Sequence, residues 1–173
     1  MALLDISGDT ARLNFHPGQW RAWESQKRFV AVLSGTQGGK TSFGPLWLYR
    51  EIQQRGPGDY LIVTPTFTLL ELKALPEFRN YFETVLQLGR YVSSPSKSFT
   101  FSSNGALRTF GRKTDQPTRV LFGYAADPES LESATAKAAW LDEAGQKKFK
   151  LASWDAILRR LSLAQGRVLI TTT

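Results

Sequence analysis

Residues 28–55 read RFVAVLSGTQGGKTSFGPLWLYREIQQR, and this stretch decides the fold class. Its first seven residues are a short apolar run, the pattern of a buried strand. From Lys40 onward the apolar residues are spaced as in a helix apolar around most of its circumference. That helix is ended by Gly-Pro-Gly-Asp at 56–59. Between strand and helix lies a near match to the phosphate-loop pattern of Gly, four residues, then Gly-Lys-Thr/Ser. Counting back from Gly39-Lys40-Thr41 puts Ser34 where the first glycine usually stands.

The remaining residues fit. Gly35, Gly38 and Gly39 permit backbone N–H groups to turn inward around phosphate oxygens. Lys40 is suited to reach the β- and γ-phosphates as a point charge, and the Thr41 hydroxyl to ligate Mg²⁺. The helix N-terminus adds its partial positive charge. Ser34, Gly35, Thr36, Gln37, Gly38, Gly39, Lys40, Thr41 and Ser42 are therefore the candidate ATP-binding residues. Pro45 is tolerable only if the regular helix starts near Thr41.

A second element is KAAWLDEAGQ, residues 137–146, where four apolar residues run into Asp142 and Glu143. At the end of a buried strand Asp142 would face the Mg²⁺, and Glu143 would polarise the attacking water as general base. Tandem acids favour hydrolysis over a nucleotide switch or a small-molecule kinase. Lys40 and Glu143 are thus the candidate catalytic residues, with Thr41 and Asp142 as candidate metal ligands.

Strand and helix patterns alternate along the rest of the chain. NFHPGQWRAWESQ reads as a turn entering a short helix, DYLIVTP as a buried strand, and 66–87 as helical with a break at Pro76. KSFTFSSNGALRTFGR, with alternating apolar residues on both sides of Ser-Asn-Gly, suggests a hairpin. RVLFGY and the closing RVLITTT are further strands, DPESLESAT opens a short helix, and WDAILRRLSL is helical. The whole predicts a three-layer α/β domain with a mostly parallel sheet and a β-hairpin insertion. A parallel strand normally feeds a crossover helix, so ending on Thr173 suggests a fragment of something longer.

At 173 residues the chain suits one domain, able to bury about two-thirds of its unfolded surface. No apolar run approaches the roughly 20 residues needed to span a bilayer. The absence of cysteine excludes disulfides and thiolate metal sites, and fits a reducing, intracellular setting. His16 is the only histidine, which rules out a His-based metal site and leaves it a structural loop residue. A net charge of +7 permits a polyanionic partner, nucleic acid ahead of membrane, but equally a merely basic surface. The five tryptophans read as core residues rather than base-stacking platforms. Gln19 is either an adenine-edge partner or an ordinary polar helix residue. Thr171, Thr172 and Thr173 either place hydroxyls near the γ-phosphate or form a β-prone tail.

FHPGQWRAWESQKRFVAVLSGTQGGKTS, GYAADPESLESATAKAAWLDEAGQ and RVLITTT together resemble the ATPase domain of phage large terminase subunits, the motors that package DNA into proheads. The resemblance implies a P-loop NTPase of the ASCE, RecA-like type, using ATP and Mg²⁺ in the host bacterial cytoplasm. It implies double-stranded DNA, a portal protein and a small terminase subunit as partners, a homo-oligomeric ring when assembled and a monomer in isolation. By resemblance Gln19 matches the adenine-contacting glutamine, 34–41 the phosphate loop, Asp142 the Mg²⁺ aspartate and Glu143 the catalytic glutamate. Thr171 to Thr173 match the motif coupling hydrolysis to movement. Many terminases carry an arginine inside the loop, where Thr36 or Gln37 stands here. A transition-state arginine then has to come from Arg108, Arg112 or Arg119, among which the sequence does not choose, or from a neighbouring subunit. Family members also continue into a nuclease domain whose carboxylate cluster is not found in 1–173, so DNA cleavage is not expected. The alternatives are a helicase-like or repair ATPase, and a non-hydrolysing nucleotide-binding assembly module.

Overall fold

The apolar run after Arg28 forms a strand, and the helix expected after the glycines begins at Lys40. The computed structural model describes every residue except 1, 9, 36, 37 and 132–134. Strands β1 (Leu4–Ser7) and β2 (Thr10–Leu13) form a separate antiparallel pair, followed by helix α1 (Pro17–Glu24). Next come β3 (Phe29–Leu33), α2 (Lys40–Arg55) and β4 (Asp59–Thr64). Helices α3 (Phe67–Leu69) and α4 (Leu75–Arg79) alternate with π-helical turns at Leu70–Ala74 and Asn80–Val85. Then come β5 (Gly89–Val92), β6 (Ser98–Phe101), α5 (Ser103–Phe110) and β7 (Arg119–Tyr124). A 3₁₀ turn at Pro128–Leu131, β8 (Ala136–Asp142), α6 (Leu151–Ser162) and β9 (Arg167–Thr172) complete the chain.

The main sheet has seven strands in the order β3-β9-β8-β4-β7-β6-β5. Strands β3, β9, β8, β4 and β7 run parallel, while β6 pairs antiparallel with both β7 and β5. One face packs against α2 and the helical run 67–85, through Phe43, Trp47, Phe78, Phe82 and Trp140. The other packs against α6, through Leu61, Val63, Leu141, Ile157 and Leu161. This is the expected three-layer α/β arrangement. Alternation along β8 serves both cores at once, with Trp140 on the first face and Leu141 on the second. Burying an indole such as Trp47 or Trp140 removes roughly 150–250 Å² from water, on the order of 4–6 kcal/mol before the ordering cost. Helix α2 crosses β8 at Gly44, where a Cβ would lie 2.0 Å from the Trp140 ring. Glycine therefore sets the closeness of that crossing.

Three expectations change. First, Ser-Asn-Gly at 103–105 makes no hairpin. Ser102 caps α5 by accepting from the Gly105 N–H at 3.0 Å, and a Cβ on Gly105 would lie 1.8 Å from the Leu88 carbonyl. The glycine serves close packing rather than a turn, and the hairpin is instead β5 with β6. Second, Pro76 does not break the helix. The turn before it widens to a π turn, with the Leu75 N–H bonded to the Leu70 carbonyl, which relieves the clash a proline ring makes in a regular helix. Third, β3 is not a buried strand but the sheet edge, with Leu33 72% exposed. A continuous apolar run does not distinguish the two cases.

Candidate functional site

Every parallel strand ends on the same side of the sheet, and the phosphate loop leaves β3 there. Gly39 is the N-cap of α2 with φ +65°, a left-handed conformation that favours glycine. Gly38 N–H donates to the Gly35 carbonyl at 3.1 Å, tightening the loop. Gly38 also lies against Ser34: a Cβ there would stand 2.1 Å from the Ser34 Oγ. The serine at the first loop position is thus accommodated by the glycine at the fifth. Lys40 Nζ donates to the carbonyls of Ser34 at 2.6 Å and Gly35 at 2.8 Å, holding the ammonium over the loop. Ser42 lies on the first turn of α2. Thr36 and Gln37 lie outside the described residues.

Helix α1 braces this loop. His16 caps α1, its Nδ1 accepting from the N–H groups of Gly18 and Gln19. An accepting Nδ1 leaves Nε2 to carry the proton, and Nε2 lies 3.4 Å from the Gly38 carbonyl. Gln19 is 1% exposed; its Oε1 accepts from the His16 N–H and its Nε2 donates to the Gly39 carbonyl. The structure therefore places Gln19 as a tie between α1 and the loop, with one lone pair and one N–H of its amide to spare.

The tandem acids come to the loop from β8. Thr41 Oγ1 donates to Asp142 Oδ2 at 3.2 Å, across 101 positions of sequence. Thr171 Oγ1 donates to Asp142 Oδ1 at 2.7 Å and accepts from Trp140 Nε1 at 2.9 Å. The next two threonines act on the neighbouring residues: Thr172 Oγ1 accepts from the Gly145 N–H, and Thr173 Oγ1 donates to the Glu143 carboxylate at 3.0 Å. Each hydroxyl of the closing Thr-Thr-Thr thus holds one part of the strand end that carries the acids. Glu143 has φ +55°, a strained conformation for a non-glycine residue that turns the chain sharply as it leaves β8. Sequence reasoning missed Trp140 and His16 as supports, because their polar atoms act across strands and loops.

Thr41 and Asp142 supply one hydroxyl and one carboxylate, a hard-oxygen set suited to Mg²⁺, which takes few protein ligands and completes its shell with water and phosphate. Burial pushes the Asp142 carboxyl above its ordinary range, opposed by the Thr171 and Thr41 hydrogen bonds and reinforced by the Glu143 charge. A cation would favour the ionised form, so the donor set fits the metal. The raised value gives a signed prediction. The folded state holds this proton more tightly than the unfolded chain, so the associated stability is present below the ordinary carboxylate range and lost as pH rises through the raised value. Asp142→Asn is expected to remove that component. Melting curves with chelator from about pH 4 to about pH 8 should show the difference, variant minus parent, growing in the variant's favour with pH. A difference flat in pH would contradict the assignment.

The cleft in front of these groups has a volume of about 470 Å³ and is lined by Gly39, Lys40, Thr41, Ser42 and Glu143 on one side. Leu72, Lys73, Pro76 and Glu77 form the other wall. The three candidate arginines do not reach it. Arg119 makes a bidentate pair with Asp59, and these are the first residues of β7 and β4, at the opposite end of the sheet. Arg108 donates to the Gln87 carbonyl beside the start of β5, at that same end, and Arg112 lies in the link from α5 to β7.

No family model matches the chain, and no curated protein matches it in sequence. Solved structures do. The large terminase ATPase domain of Thermus phage P74-26 superposes with a TM-score of 0.68 at 21% identity, covering 93% of this chain and 65% of that one. The chain has the fold of phage large terminase ATPase domains. The large terminase of a thermophilic bacteriophage gives 0.71 at 12% identity, over 91% of this chain and 39% of that one. That second terminase has also been solved in complex with ATP-γ-S and with ADP. The UvsW helicase of bacteriophage T4 matches 99% of this chain and 56% of its own, with a TM-score of 0.60 at 17% identity. The chain thus spans about two-thirds of the P74-26 ATPase domain and well under half of the second terminase. Among the described residues no helix is long and apolar enough to cross a membrane.

Proposed function

We propose that this chain is an ATP-hydrolysing motor domain of the large terminase type, driving double-stranded DNA into a prohead. One observation carries the reading: Lys40 and Thr41 of the phosphate loop share a cleft with Glu143, and Thr41 is hydrogen-bonded to Asp142. Loop amides and Lys40 would bind the phosphates, the ammonium exchanging the Ser34 and Gly35 carbonyls for β- and γ-oxygens. Gln19, buried with its amide bonded to the Gly39 carbonyl, would have to turn that amide outward to meet the adenine edge. Thr41 and Asp142 would hold Mg²⁺, which when bound neutralises charge on the β- and γ-phosphates. Glu143 would take a proton from a water as its oxygen bonds to the γ-phosphorus. The bond from that phosphorus to the β,γ-bridging oxygen breaks with its electron pair leaving on ADP. The hydroxyls of Thr171 and Thr173 hold both acids, so a shift of β9 would follow a change in their partners. That linkage is the proposed route from hydrolysis to movement. A net charge of +7 suits a DNA partner, and a portal protein, a small terminase subunit and a ring of like subunits would complete the motor.

The test is calorimetry with ATP and Mg²⁺ beside a phosphate-release assay. Binding with Mg²⁺-dependent release supports the enzyme, and binding without release supports a nucleotide-binding assembly module. The similarity to UvsW favours a helicase-like ATPase as second reading. Release stimulated by DNA alone, without portal or prohead, would select it.

A further inference from the structure

We propose that Lys73 is a second catalytic cation of the nucleotide site, meeting the γ-phosphate of bound ATP from the wall opposite Lys40. The inference rests on the ATPase reading and adds a residue to it. Lys73 lines the same cleft as Lys40, Thr41 and Glu143, and among the described residues lining that cleft these two lysines are the only cations. Lys73 is solvent-exposed and has no ion-pair or hydrogen-bond partner among the described residues. Glu77, one turn further on, faces the cleft as well, yet the two do not pair.

The position of Lys73 has a local cause. It lies within the π turn Leu70–Ala74 that accommodates Pro76. The helical run starts just after β4, whose Val63 pairs with Leu141 of β8 immediately before Asp142. The run therefore begins beside the acids, and Lys73 near its start lines the cleft that Glu143 faces.

The site has a chemical need for such a charge. Phosphoryl transfer spreads negative charge over the equatorial oxygens of the transferring group, and a fixed cation beside them acts mainly in the transition state. Arg108, Arg112 and Arg119 are at or linked to the far end of the sheet. Lysine brings a compact point charge on a flexible stem, adequate for an oxygen that does not require a bidentate partner. Lys73 forms no bond to phosphorus and moves no proton; it offsets charge.

Lys73→Ala and Lys73→Arg test this in the intact chain. Calorimetry with Mg²⁺–ATPγS and Mg²⁺–ADP should show Lys73→Ala weakening the triphosphate about tenfold or more while ADP affinity stays at the parent value. Turnover should fall by about 10² in kcat, and Lys73→Arg should restore most of both. An unchanged ratio of ATPγS to ADP affinity with unchanged kcat would overturn the assignment. So would equal weakening of both nucleotides, which reports a disturbed fold. If the parent itself binds neither nucleotide, the ATPase reading fails, and that failure is seen before any variant is compared.

Discussion

Glu143→Gln is expected to lower Mg²⁺-dependent phosphate release by about 10²–10⁴-fold while ATP binding persists. The amide keeps the size of the carboxylate and still accepts from the Thr173 hydroxyl, so the strand end should hold its shape. It loses the capacity to take a proton from water. Glutamine also tolerates the left-handed backbone at this position about as well as glutamate does. The variant should therefore trap bound ATP, read as a calorimetric affinity within a few-fold of the parent beside a collapsed kcat. Turnover near the parental rate would remove Glu143 from the mechanism and leave Asp142 and Glu77 as the acids of the site.

Glu51→Ala is expected to destabilise the fold by about 3–5 kcal/mol. Glu51 is 0% exposed on α2 and accepts from Arg167 Nη1 at 2.5 Å and Arg55 Nε at 3.0 Å. Arg167 is itself buried, donates to the carbonyls of Lys27 and Ser25, and packs over Trp47. Nearby, burial lowers the Arg50 guanidinium below its ordinary range, the Glu51 charge opposes that shift and Arg167 adds to it. Removing the one carboxylate leaves three guanidinium groups close together, one of them enclosed. For a chain of this size the loss corresponds to a fall of roughly 6–20 °C in Tm, measurable by calorimetric or circular-dichroism melting. The double change Glu51→Leu with Arg167→Met should recover much of it, since the cost comes from an unpaired buried charge rather than lost volume. A Glu51→Ala melt within a degree or two of the parent would show that water reaches Arg167. This network joins α2, the end of α1 and the start of β9, so it holds the two strands on which the phosphate loop and the threonines depend.

Neither Glu51 nor Arg167 stands out in the sequence, since each is an ordinary charge in a charged stretch. The contrast with 34–43 and 142–143 is instructive. A phosphate loop is local: glycine freedom, a lysine and a hydroxyl at set spacings, framed by a strand and a helix, are all legible in a few consecutive residues. The Asp-Glu strand end is almost as local, since an apolar strand announces itself and its last residues come directly after. Where reading failed, the same local pattern served two structures. The alternation around Ser103–Gly105 fits a hairpin, but Ser102 found a backbone N–H to cap and Leu88 required a glycine beside it. Phe29 to Leu33 fits an interior strand, but its apolar residues do not reveal whether a neighbour pairs with the second edge.

By itself the sequence determined the α/β class, the glycine-rich turn between β3 and α2 and the acids at the end of β8, because each depends on residues near one another in the chain. Only the tertiary structure decided which groups meet. Parallel pairing of β8 with β9 sets Thr171 opposite Asp142 and so assigns the closing threonines their partners. The direction of β4 and β7 carries Arg119 away from the cleft, and the helical run that follows β4 places Lys73 on its wall. Strand order and direction are properties of long-range pairing, which side-chain periodicity does not encode.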